Sequence, residues 1–245
     1  MFFFFLTSGL FLGWSLGAND AANIFGTAVG SKMIRFRTAA ITAGIFVIIG
    51  ATLQGSGTTN TLSHLGSVDA IAGAFTVALS AALVIFLMTR SLLPVSTTQA
   101  IVGAIIGWNL FTGHKTDMKL LLTIVSTWVV SPAAGAVFSA IFYLLLRALL
   151  KRLQIHLVIL DIYIKWALII VGAFGAYSLG ANNIANVMGV FAGSAPDVVL
   201  DLGLFRLNGL QVLFLIGGIA IATGILTYSK GLMMQIGRAS CRERV

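Results

Sequence analysis

Charge is what this sequence has least of. Of its 245 residues, 15 are Lys or Arg and 7 are Asp or Glu, together 9%, where soluble domains carry about 25%. A chain so poor in charge cannot clothe a water-soluble domain of this size. Cysteine occurs once, as Cys241, so no disulfide can close within the chain and no redox or metal role is expected of that thiol. Histidine is scarce as well. His64, His114 and His156 stand apart, at or near loops, and are read as ordinary residues rather than ligands. No nucleophile–His pair, no His/Cys metal motif and no P-loop occurs, so an enzyme is not expected. Period-two alternation is also missing, which argues against a membrane β-barrel.

Long apolar runs fill the space that charge leaves. The chain is 58% hydrophobic, with a mean hydropathy of +1.03. Apolar spans are read at 2–29, 38–55, 69–90, 94–112, 118–146, 163–195 and 208–229. The expected fold is all-α, a polytopic membrane helical bundle, and the expected location is a multi-pass position in the cell's cytoplasmic membrane. The span at 94–112 is marginal in length and is read either as a crossing or as a re-entrant half-helix. The first twelve residues have the look of a signal-peptide core. No basic stretch precedes them and no A-x-A site follows, so they are read as half of a retained helix.

The net charge of +8 sits mainly in short clusters between spans, "KMIRFR" (Lys32–Arg37) and "RALLKR" (Arg147–Arg152). Such clusters mark cytoplasmic ends facing anionic lipid, and without a soluble basic face nucleic acid is not an expected partner. The first span then runs outside to inside, the loop at 56–68 lies outside, Arg90 inside, "HKTDMK" (His114–Lys119) outside, Arg147–Arg152 inside, the loop carrying Asp197, Asp201 and Arg206 outside, and Lys230 inside. The last ten residues, "IGRASCRERV", back-translate into DNA resembling a short-read sequencing adapter. Read-through is the expectation for 236–245, with a reading frame that continues past Gln235.

Two windows repeat. "SLGANDAANIFGTAVGS" (Ser15–Ser31) aligns without gaps to "SLGANNIANVMGVFAGS" (Ser178–Ser194), identical at ten of seventeen positions, with Gly17 matching Gly180 at an offset of 163 residues. Apolar segments resemble one another by chance, but not in Asn, Gly and Ser at fixed spacing. The first copy runs outside to inside and the second inside to outside. We therefore expect inverted repeats, 1–150 for the first and 151–235 for the start of the second, with broken or re-entrant helices and a binding site at mid-membrane between them.

The polar residues inside these windows are the candidates for function. Asn19 and Asp20 are expected to interrupt their helix, with Asn23 on the same face. Carboxylate, amide and freed carbonyl oxygens are hard ligands that suit Na⁺, and a cation would offset the cost of a carboxylate in lipid. The alternative is that the amides are interhelical glue and Asp20 pairs with a basic residue; no Lys or Arg lies within the neighbouring spans. A second constellation is "LLPVSTTQAIVG" (Leu92–Gly103), where Pro94 precedes Ser96, Thr97 and Thr98 at a helix start. Free N–H groups, the positive helix end and three hydroxyls can hold an anion; alone, an ordinary N-cap would explain them. "QGSGTTN" (Gln54–Asn60) reads as a turn, Pro132 as a helix kink, and Trp14, Trp108, Trp128 and Trp166 as packing or interfacial residues.

These residues resemble the inorganic phosphate transporter (PiT) family, whose signature pairs a GAND-type motif with a P-V-S-T-T-[HQ]-A-I-V-G motif in each half. "GANDAANIFGTAVGS", "PVSTTQAIVGAIIG" and "GANNIANVMG" carry the likeness, over about residues 10 to 235. The resemblance implies secondary active uptake of inorganic phosphate coupled to Na⁺ or H⁺, by an elevator-like or rocking movement, with no cofactor beyond the coupling ion. It implies phosphate oxygens at Ser96, Thr97 and Thr98. It implies cation ligands at Asn19, Asp20 and Asn23 and at Asn182, Asn183 and Asn186, with Na⁺ at Asp20 and Asn23. A homodimer is expected by analogy with elevator-like carriers. Two departures stand out: Asn183 replaces an Asp common in the family, and the second PVSTT motif is absent from this sequence. A sulfate or other oxyanion permease of the same fold is the nearest alternative; a non-transporting membrane scaffold or receptor is the alternative from another class.

Overall fold

The computed structural model describes residues 2–57, 71–153, 156–195, 199–201 and 206–242. The expected outer loop with His64, part of the turn at Gln54–Asn60 and Asp197 lie outside the described residues. The elements are α1 (Phe2–Gly30), α2 (Phe36–Gln54), α3 (Ile71–Arg90), α4 (Thr97–Thr112), α5 (Met118–Leu153), α6 (Leu157–Met188), a 3₁₀ segment (Gly189–Ser194), α7 (Gly209–Tyr228) and α8 (Lys230–Arg242). The two-residue strands β1 (Leu200–Asp201) and β2 (Arg206–Leu207) pair antiparallel ahead of α7. Five segments are long and apolar enough to cross a membrane by length and composition: 36–54, 71–90, 118–152, 157–194 and 209–228.

Helix ends follow local chemistry. Asn208 caps α7: its side chain accepts from the Gln211 backbone N–H at 2.8 Å, while the Gln211 side chain accepts from the Asn208 N–H at 3.0 Å. This capping box satisfies two otherwise orphaned donors. Asn208→Ala is expected to lower stability by about 1 kcal/mol, read as a drop in the unfolding midpoint of the purified protein; an unchanged midpoint would show that the cap contributes nothing. Ser96 caps α4 in the same way, accepting from the Gln99 N–H at 3.3 Å, and α4 ends at Gly113, whose φ of 74° is the left-handed conformation that glycine adopts without penalty.

Glycines set how closely the helices approach. A Cβ at Gly17 would strike the Ile221 carbonyl oxygen, and one at Gly224 the Trp14 carbonyl oxygen, so α1 and α7 lie backbone against backbone, running parallel. A Cβ at Gly180 would strike the Val47 carbonyl oxygen, and one at Gly50 that of Tyr177, so α6 lies on α2 in the same way. The four approaches are two pairs related by symmetry. Gly17 and Trp14 map onto Gly180 and Tyr177 at the offset of 163, while Val47 and Gly50 map onto Ile221 and Gly224 at an offset of 174. A short turn, 31–35, joins α1 to an antiparallel α2. Since α6 is parallel to α2, it is antiparallel to α1, and the two repeat windows cross the bundle in opposite directions. Close backbone contact between small residues is how helices associate where lipid offers no hydrophobic drive.

One expectation changes and one is decided. First, α1 runs unbroken from Phe2 to Gly30 and α6 from Leu157 to Met188. The helix is therefore not interrupted at Asn19–Asp20, and no carbonyls are freed there, because Ala18, Ala21 and Ala22 keep the ladder in a tightly packed environment. Second, of the two readings of 94–112, the re-entrant one describes the structure: α3 and α4 form a hairpin. Phe4 stacks on Phe75 with ring centroids 5.6 Å apart, and Phe11 meets Phe86 at 5.8 Å, so α3 descends beside α1. The chain turns at 91–96, with Leu92 at φ 59°, and α4 climbs back until Trp108 closes on Gly73. Thr97, at the bottom of this hairpin, meets Asp20. Ten residues of α1 remain between Asp20 and Gly30, about 15 Å of helix. The α3–α4 hairpin enters and leaves on the same side, so the direction of every later element is unaffected.

The core is built of alanine and branched aliphatics from α1, α2, α3, α4, α6 and α7 around Phe25, Phe191 and Phe214. Helix α5 is exposed almost throughout its length, with a continuous apolar surface suited to lipid.

Candidate functional site

The hairpin tip brings the repeat windows together. The Thr97 hydroxyl donates to Asp20 Oδ2 at 3.0 Å and lies 3.5 Å from Asn183 Oδ1. Asp20 and Asn183 occupy equivalent positions in the two windows, so Thr97 stands between symmetry mates from antiparallel helices. Asn186 Nδ2 donates to Asn183 Oδ1 at 2.8 Å and to Thr98 Oγ1 at 3.0 Å. The result is a chain of polar groups, Asp20–Thr97–Asn183–Asn186–Thr98, that ties α1 and α6 to the N-terminus of α4.

This network forms a wall of a cavity of about 550 Å³. The rest of its surface comes from Asn23 and Ile24 of α1, Pro94 to Thr98 at the tip, and Gly175, Ser178, Leu179 and Asn182 of α6. Asn23 is exposed to the cavity, while Asp20 is buried at its edge. Among the described residues no Lys or Arg lines it. The first-turn N–H groups and hydroxyls of α4 point partial positive charge at the space, which suits an oxyanion. The Asp20 carboxylate opposes that, unless a cation neutralises it.

The predicted residues divide. The structure gathers Asp20, Asn23, Ser96, Thr97, Thr98, Asn182 and Asn183 around one cavity, with Asn186 directly behind it. Asn19 is different: it is fully buried, it does not line the cavity, and its Nδ2 donates to the Val95 carbonyl at 3.1 Å. Asn19 and Asp20 therefore leave α1 on different faces, contrary to the expected common face, and Asn19 pins the tip from behind. Sequence reading passed over Ser178, although the aligned Ser15–Ser178 pair contained the signal. It also passed over Gly175, where an added Cβ would crowd the Ile24 side chain at 3.2 Å on the cavity wall. Of the tryptophans, Trp14 packs against Phe11, Phe86 and Tyr228 and donates its indole N–H to Thr227 at 2.9 Å, as a packing residue should.

Comparison with known proteins agrees with this architecture. A protein of Pyrococcus furiosus named a phosphate permease is 26% identical, over 94% of this chain and 74% of its own length. A sodium-dependent phosphate transporter of Plasmodium falciparum is 36% identical over 62% of this chain, but only 25% of that protein is covered. Among solved structures, a sodium-dependent phosphate transporter superimposes with a TM-score of 0.75 at 24% identity, covering 96% of this chain and 77% of that one; at that identity it speaks for the fold. A sequence profile of the phosphate transporter family matches residues 16–243, from the first repeat window through the hairpin and the second window to α8. A membrane bundle whose duplicated polar windows meet a PVSTT hairpin thus has a place among known proteins: the chain belongs to the phosphate transporter family.

Proposed function

We propose that the cavity binds inorganic phosphate at the α4 N-terminus, held by Ser96, Thr97 and Thr98, and that the protein moves it across the cytoplasmic membrane as a secondary active symporter. The coupling cation, Na⁺ or H⁺, is placed at Asp20 and Asn23, with Asn183 and Asn186 as their second-repeat counterparts and Asn182, the mate of Asn19, beside them on the cavity. The observation that carries this reading is the position of Thr97, bonded to Asp20 and facing Asn183 at the mouth of an anion-suited helix end.

Charge supports the coupling. An oxyanion in this cavity lies near a carboxylate, and among the described residues no basic side chain offsets it. At an effective dielectric near 20, two unit charges about 4 Å apart repel by roughly 4 kcal/mol. A bound cation, or a proton on the carboxylate, turns that penalty into attraction, so anion and cation bind best together.

Radiolabelled phosphate uptake into proteoliposomes tests the proposal. Concentrative uptake that requires a Na⁺ or pH gradient is the expected result, and Thr98→Val is expected to raise the half-saturating phosphate concentration about tenfold, the loss of one hydrogen bond to a charged group. Uptake that merely equilibrates, or that sulfate suppresses more strongly than phosphate does, would overturn the phosphate symport reading.

A further inference from the structure

Far from the cavity, the last turns of α5 carry a groove that the transport site does not use. Tyr143, Arg147 and Lys151 follow one another at four-residue intervals, with Leu146 and Leu150 beside them, so the five share one helix face. They line a groove of about 390 Å³. Tyr143, Leu146, Arg147 and Lys151 are exposed. Among the described residues, the side chains of Tyr143, Arg147 and Lys151 form no hydrogen bond or ion pair. Two cations thus stand without a counter-charge on an otherwise apolar strip.

Depth decides what these cations meet. From Leu120 to Arg147 the helix rises about 40 Å, against about 30 Å of hydrocarbon. An α5 that enters the bilayer at Leu120 therefore delivers Arg147 to the opposite headgroup layer, even when tilted by about 20°. Tyr143, one turn earlier, takes the level where amphipathic rings collect. Helical side chains lean toward the N-terminus, which brings Lys151 back onto the same layer. The basic cluster Arg147–Arg152 sets this end on the cytoplasmic side, where anionic lipids give the leaflet its negative potential. We propose that the groove holds one anionic phospholipid. Its phosphate lies between Arg147 and Lys151 and accepts from the Tyr143 hydroxyl. Its acyl chain runs back toward the membrane interior along Leu146, Phe142 and Phe138, all three exposed. A second copy of the chain fits this face poorly. Two-fold related copies inserted in the same direction would set Arg147 and Lys151 against their own counterparts, and like charges repel.

The test is native mass spectrometry of the full purified chain in detergent, offered phosphatidylglycerol and phosphatidylcholine of the same acyl chains in equal amounts. Preferential retention of phosphatidylglycerol is the expected result. Arg147→Gln together with Lys151→Gln is expected to raise the half-saturating phosphatidylglycerol concentration about thirtyfold. Arg35→Gln together with Arg37→Gln removes as much charge from another basic cluster and is expected to leave it close to native. All four side chains are exposed, so both double variants are expected to fold. Equal losses in the two double variants would overturn the site in favour of diffuse surface charge, and equal retention of the two lipids would overturn it outright. Displacement of the lipid by an equal concentration of inorganic phosphate would assign the cations to the free anion. A dimer that retains no phosphatidylglycerol would assign the face to a second copy. Either result overturns the proposal.

Discussion

Asp20→Asn is expected to lower gradient-driven phosphate uptake by about 100-fold, on the order of 3 kcal/mol, with the protein still inserted and folded. Among the described residues Asp20 is the single carboxylate on the cavity, and it is 8% exposed. Its exchange for Asn keeps the shape and an acceptor for the Thr97 hydroxyl, but removes the charge that a cation needs. It also makes position 20 the same as its mate, Asn183, so the site becomes amide on both sides of Thr97. Insertion should not suffer, because a carboxylate inside a membrane helix costs a few kcal/mol and α1 is continuous through this position. Uptake at native levels with an intact cation requirement in Asp20→Asn would remove Asp20 from the mechanism.

The second large effect is mechanical. Gly17→Ala and Gly180→Ala are each expected to destabilise the bundle by about 3 kcal/mol, the upper end of what an added methyl group costs in a tight core. In both cases the new Cβ strikes a carbonyl oxygen of the facing helix, of Ile221 or of Val47, and backbone cannot swing aside as a side chain can. The two helices must part. Gly17 and Gly180 lie three residues before Asp20 and Asn183, one turn from the Thr97 bridge, so separation should also weaken phosphate uptake. Gly103→Ala is the control. Nothing lies within 4 Å of its would-be Cβ, and alanine is the better helix former by up to about 1 kcal/mol, so its unfolding midpoint should hold or rise. Equal midpoints for Gly17→Ala and Gly103→Ala would show that the α1–α7 approach contributes nothing to stability.

Much of the site was legible because it is made of polar residues in an apolar text. Asp20, Asn23, Asn183 and the Ser96–Thr98 hydroxyls are conspicuous by type, and the duplication of the Asn-rich window at fixed spacing survives any helical geometry. Other features were hidden for physical reasons. Gly50 and Gly224 are mates in the fold, yet they fall outside the gapless repeat window because their offset, 174 residues, is not the 163 of the first pair. Sequence patterning tells that an apolar segment is a helix, but it cannot tell how deep that helix goes. A 20-residue α3 ending in Arg90 has the length of a full crossing, and only the stacking of Phe4 on Phe75 and Phe11 on Phe86 fixes it as one arm of a hairpin.

The sequence by itself determined that the chain is a membrane bundle, that it carries one window twice in opposite directions, and that one carboxylate and one hydroxyl-rich helix start are its chemical groups. These follow from composition, charge placement and local repetition, which need no long-range contact. The tertiary structure alone decided that Thr97 joins the repeat-related Asp20 and Asn183, that Asn19 turns to Val95 and away from the cavity, and that α1 stays whole through its polar residues. Those outcomes depend on which helices approach closely enough for one side chain to reach another, and that distance is set by glycines remote in sequence whose missing methyl groups are felt only after the helices have packed.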